Sequence, residues 1–115
     1  MKKDNKWFKT WFNSDYYHLL YRNRSQQEAN LFIKNLIVTL GLEKTKKILD
    51  LGCGKGRHAH KMSEYFGQVD GLDLSKQSIE KAKEFSKPNL EFYIGDMRNF
   101  NLPNKYKYIF NLFTS

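Results

Sequence analysis

The sequence predicts an α/β fold built on a parallel sheet, half of a doubly wound architecture. Three observations carry that expectation: apolar runs alternate with helix-period segments along most of the chain, one of those runs breaks into glycines at alternate positions, and turn or cap residues separate the runs. Such alternation implies right-handed βαβ units with helices on the faces of the sheet.

Taken in order, residues 7–24 are aromatic and poor in breakers, and read as one or two short helices joined near residues 13–15. Ser25 and Glu28 then form a capping box, the serine accepting from the amide three residues on and the glutamate reaching back. Ala29, Phe32, Ile33, Leu36, Ile37 and Leu40 recur at helical spacing until Gly41 closes the segment. This amphipathic helix is expected to pack on the sheet. Lys47–Leu51 reads as a central strand, apolar past its lysine because both faces are covered.

A helix follows over residues 56–66 with Ala59, Met62, Ser63 and Phe66 on one side, then a strand over residues 69–74. Ser75 caps a further helix to about Phe85 that buries Ile79, Ala82 and Phe85, with Pro88 marking its end. Leu90–Ile94 makes the next strand and residues 108–113 the last. Between Asp96 and Tyr108 the spacing is too short for a crossover helix, so a turn at residues 97–100 and a loop at residues 102–104 are expected.

The 115 residues fit one domain with one core, and 40% hydrophobic and 16% aromatic content is that of a globular chain. No segment approaches the roughly 20 apolar residues of a membrane span. The single Cys53 excludes an internal disulfide, which makes a cytoplasmic address the default. A net charge of +8 invites nucleic acid, but the lysines are scattered rather than gathered in a recognition run, so nucleic acid is not expected as a partner. His18, His58 and His60 lack partners at metal-ligand spacing; no metal and no catalytic residue is assigned.

The chemistry concentrates after the first apolar strand. Asp50 precedes glycines at three alternate positions, Gly52, Gly54 and Gly56, which remove β-carbons that would hold a ligand off the main chain. A second acid, Asp73, ends the next strand, and Gly95, Asp96 and Met97 follow the third. In this order the three segments resemble the first three motifs of the class I, Rossmann-like methyltransferases that use S-adenosyl-L-methionine, and residues 11–41 are similar to the helical lead-in of small-molecule members.

The resemblance implies roles residue by residue. Gly52, Gly54 and Gly56 would offer backbone to the methionine part and ribose of the cofactor, and Asp50 would help hold its amino group. Asp73 would accept the ribose hydroxyls, with Leu74 presenting an apolar face to adenine. Asp96 would meet the exocyclic amine and Met97 would flank the base. Tyr16, Tyr21 and Arg24 are candidates to close over the methionine end.

A nicotinamide dinucleotide site is the rival reading, but its strict glycine spacing needs glycine where Arg57 stands. A phosphate loop would need lysine and a hydroxyl residue where Arg57 and His58 follow Gly56. A noncatalytic adapter or nucleic-acid-binding domain is the third. Because the family's sheet has further strands beyond the fourth, the resemblance implies that the chain is the amino-terminal, truncated portion of one methyltransferase domain, with residues 1–45 a helical lead-in and residues 46–115 the cofactor-binding core. Its acceptor is expected to be a small molecule. A bare edge on the last strand would favour a homodimer.

Overall fold

The computed structural model describes residues 15–21, 26–96 and 101–114. Five parallel strands form one sheet: β1 (Asp15–Tyr21), β2 (Lys47–Leu51), β3 (Gln68–Asp73), β4 (Leu90–Ile94) and β5 (Tyr108–Thr114), in the order β1-β5-β2-β3-β4. The α-helices are α1 (Gln26–Leu40), α2 (Arg57–Met62) and α3 (Lys76–Ala82), the last running into a 3-10 turn at Lys83–Phe85.

Helix α1 buries Ala29, Ile33 and Ile37, with Phe32 and Leu36 packed partly behind them, as the helical spacing requires. It ends in a Schellman arrangement: Gly41, at φ 64°, donates to Val38 O and Leu42 N donates to Ile37 O. The Ser25 half of the capping box lies outside the described residues. Helix α2 is shorter than expected, but Ala59, Met62, Ser63 and Phe66 are all buried. In α3 the Ser75 hydroxyl accepts from Ser78 N, and Ile79 and Ala82 are fully buried. Phe85 is partly buried and stacks on the His60 ring at 4.3 Å.

All three helices cover the same face of the sheet. Their buried residues share one core with Ile48, Val69, Leu90, Phe92, Tyr108 and Phe110. The opposite face carries Leu49, Leu51, Leu72 and Ile109, closed by Tyr106 and partly by Leu102. Topology explains the asymmetry. The helical crossovers β1 to β2, β2 to β3 and β3 to β4 all travel in one direction across the sheet, so a common hand puts them on one side. Only the return from β4 to β5 runs the other way, and its described part, residues 95–96 and 101–107, contains no helix.

The sheet corrects two expectations. Residues 15–21, expected to be helical, form β1 instead. Tyr17 and Leu19 pack on the helix-covered core while Tyr16 packs on the opposite face, a period-2 alternation that interleaved aromatics disguise in the sequence. The remaining residues of that expected helical stretch, 7–14 and 22–24, lie outside the described set. The second correction follows from the first. β1 pairs with β5 from Asp15↔Tyr108 to Tyr21↔Thr114, so the edge of β5 expected to be bare is covered and the ground for a homodimer through it is gone. Among the described residues no helix is long and apolar enough to cross a membrane.

Candidate cofactor site

Strand order reverses between β2 and β5, and the crevice at the carboxyl ends of these strands is where open α/β sheets take ligands. The bend after β2 lies there. Gly52, Gly54 and Gly56 all adopt left-handed backbone, at φ 70°, 59° and 84°. The amides of Gly52 and Cys53 both donate to Leu72 O, at 2.7 and 3.0 Å, and anchor the bend on β3.

The three glycines serve two different needs. A β-carbon on Gly54 would meet nothing within 4 Å, and one on Gly52 would meet only the Asn111 amide oxygen at 3.8 Å. Their α-carbons therefore border open space. Gly56 is buried, and a β-carbon there would come within 2.9 Å of Phe92 and Ala82. Its missing side chain lets the start of α2 close onto the core.

Acidic groups surround this bend. Asp50 is 1% exposed, and its Oδ2 has no hydrogen-bond partner. Burial, reinforced by the charge of Asp73, pushes its carboxyl up to about 8. Asp73 is held by two amides: Gly54 N donates to Oδ2 at 2.8 Å and Ser75 N donates to Oδ1 at 2.9 Å. A carboxylate has about four lone-pair positions, so both oxygens keep capacity for further donors. Gly95 N donates to Asp73 O at 3.0 Å, which joins the tips of β3 and β4 and brings the start of the Asp96 segment beside Asp73. Asp96 itself is half-buried, and Met97 lies outside the described residues.

Leu74 is 70% exposed and Ile94 52% exposed, an unusual pair of wet aliphatics on adjacent strand ends. Ile94 stands level with Asp73 in the β3–β4 register. On the other side of the bend, Asn111 Nδ2 donates to Tyr16 Oη at 3.4 Å. Tyr21 ends β1 opposite Thr114, its side chain outside the described set, as is the whole of Arg24.

A family model for the methyltransferase domain matches residues 48–114, more than half of the chain. The chain belongs to this methyltransferase domain family.

Relatives of this methyltransferase domain include malonyl-[acyl-carrier protein] O-methyltransferase 1 of Ilyobacter polytropus, 36% identical over 79% of the chain and 35% of the relative. Another is dTDP-3-amino-3,4,6-trideoxy-alpha-D-glucopyranose N,N-dimethyltransferase of Streptomyces venezuelae, 30% identical over 90% of the chain and 44% of the relative. The chain thus spans less than half the length of either. Among solved structures, SAM-bound CalS10, an amino pentose methyltransferase from Micromonospora echinaspora, superposes with a TM-score of 0.65 at 26% identity, over 79% of this chain and 38% of that one. DesVI of Streptomyces venezuelae gives a TM-score of 0.63 at 28% identity, over 76% and 36%.

Of the residues expected from sequence, Asp50, Gly52, Gly54, Asp73 and Leu74 gather at the bend and the adjoining tip of β3. Gly56 supports the bend from inside. The structure sets Ile94 and Asn111 beside them. The sequence puts Ile94 at the end of a strand, and its register places it beside Asp73. Asn111 did carry a signal, as the one amide within the apolar run of residues 108–113.

Proposed function

We propose that this methyltransferase domain is the S-adenosyl-L-methionine-binding part of an enzyme that methylates a small-molecule acceptor. The observation that carries the reading is the buried Asp50 with an orphaned Oδ2 two residues before the open bend. A buried acid without a partner suits a cationic ligand group, such as the ammonium of an amino-acid tail. It disfavours the pyrophosphate of a dinucleotide, which would set negative charge beside Asp73 and bring no cation to offset the burial of Asp50.

The remaining residues fit the other parts of that cofactor. Gly52 and Gly54 leave room for its tail to lie against backbone. Asp73 retains acceptor capacity for the two ribose hydroxyls. Leu74 and Ile94 offer apolar surface for adenine, and Asp96 an acceptor for its amine. Tyr16, Tyr21 and Arg24 precede α1 on the chain and are assigned to the methionine end. When bound, the cofactor supplies a methyl group activated on a sulfonium. The chain's share is to bind and align it, for which alignment is the main catalytic demand.

Two relatives named for amino-sugar N,N-dimethylation support a small acceptor. The chain is read as one portion of a single domain, and its lone cysteine suits a cytoplasmic protein.

Titration calorimetry with S-adenosylhomocysteine tests the reading. Binding is expected, and Asp73→Ala should abolish it. Binding of a nicotinamide dinucleotide in its place would favour the rival fold use, whereas salt-sensitive binding to nucleic acid alone would favour an adapter.

A further inference from the structure

We propose that Asn111 is a cofactor-binding residue that reads the amino-acid tail of the ligand, an assignment that rests on the cofactor reading above. Asn111 lies on β5 one residue beyond Phe110, which pairs with Asp50, so it stands at the strand level where β2 gives way to the bend. That is the point of strand-order reversal, with the amide on the face opposite the helices, in step with Ile109.

The orientation of the amide carries the argument. Its Nδ2 donates to Tyr16 Oη, which turns Oδ1 toward Gly52, 3.8 Å from where a β-carbon would sit on that residue. Gly52 is exposed and Asn111 half-buried, so the amide lies beside the bend without being sealed in the core. An apolar residue would serve the strand as well or better, since asparagine is depleted from strands.

A tail ammonium has three N–H donors. Asp50, two residues before Gly52, supplies an acidic partner from one side, and the Asn111 carbonyl supplies a neutral one from the neighbouring strand. Tyr16 then acts through Asn111, fixing which end of the amide faces the ligand.

The test compares two ligands that share adenosine and sulfur: S-adenosylhomocysteine, which has the tail, and 5′-methylthioadenosine, which lacks it. Asn111→Leu should weaken S-adenosylhomocysteine about tenfold or more, the scale of a hydrogen bond to a charged group. It should leave 5′-methylthioadenosine binding and the melting temperature essentially unchanged. Asn111→Asp, which keeps an oxygen at the same place, should retain tail discrimination, and Tyr16→Phe should show a smaller loss confined to the tailed ligand. Equal weakening of both ligands by Asn111→Leu, or no weakening of either, overturns the assignment while leaving the cofactor reading intact. If the unaltered protein binds neither ligand, the cofactor reading itself fails and this inference with it.

Discussion

The backbone N–H of Gly54 donates to Asp73 Oδ2 at 2.8 Å, so the bend after β2 and the acid at the tip of β3 form one mechanical unit. The other oxygen takes Ser75 N, at the turn into α3. Asp73 thus shapes the site before any ligand arrives, and any ribose contact is added to a carboxylate already fixed in place.

Asp73→Asn tests that double duty. The amide keeps one acceptor oxygen but turns a donor toward one of the two backbone N–H groups. Each lost charge-assisted bond is worth about 1.5–3 kcal/mol. The variant should melt several degrees lower and bind S-adenosylhomocysteine at least tenfold more weakly; a weaker ligand with an unchanged melting temperature would mean the bend does not depend on this acid.

The raised carboxyl of Asp50 gives a signed pH dependence. Its value in the folded protein, about 8, exceeds the ordinary 3.8, mainly because burial penalises the charge. Between those values the folded state holds a proton that the unfolded chain releases. This group's stabilisation is therefore complete below about pH 4 and declines as pH rises toward 8. Asp50→Asn abolishes this titration, so denaturant unfolding from pH 5 to 8.5 should show a flatter profile and a higher stability at the alkaline end. The slope removed is at most about 1.4 kcal/mol for each step of one in pH. Parallel profiles for variant and parent would count against it. The same variant should bind the cationic cofactor more weakly, a trade of stability against function.

Much of this was legible in the sequence because its signals are local. The alternation of apolar run and glycine placed β2 and its bend, Ser75 announced its own cap, and Gly41 ended α1 as expected. What escaped depends on partners distant in the chain. β1 exists because β5, more than 90 residues later, offers it an edge, and no local residue announces that partner. Gly56 resembled its neighbours until Phe92 and Ala82 were seen against it. The contribution of Ile94 is a matter of register, which no residue type encodes.

Gly56→Ala should separate packing from binding. A β-carbon there meets Phe92 Cζ at 2.8 Å and Ala82 Cβ at 2.9 Å, on backbone at φ 84° that alanine resists. Overpacking costs about 1–3 kcal/mol, and the left-handed conformation adds about 1 kcal/mol or more. Gly54→Ala shares the backbone penalty but not the clash. Thermal unfolding should therefore rank Gly56→Ala well below Gly54→Ala, and similar melting temperatures would refute the distinction drawn between the two glycines.

A buried polar cluster at the other end of β3 offers the last test. Asp70 is fully buried; its Oδ2 accepts from the Tyr106 hydroxyl and from Asn104 Nδ2 at 2.8 Å, and its Oδ1 from Gln68 Nε2 at 2.9 Å. Burial and the bond to Asp70 both raise the Tyr106 phenol, which therefore stays protonated and able to donate. This cluster ties residues 101–107 to the sheet just before β5 begins. Tyr106→Phe keeps the ring against Leu49 and Ile109 but removes the donor, leaving a buried carboxylate short of one bond at a cost of about 1–3 kcal/mol. Because Lys107 N donates to Lys47 O at 2.9 Å, loosening of this segment should appear as faster amide exchange at Lys107, alongside a lower unfolding free energy. Unaltered exchange and stability would mean that Asn104 and Gln68 satisfy Asp70 without the phenol.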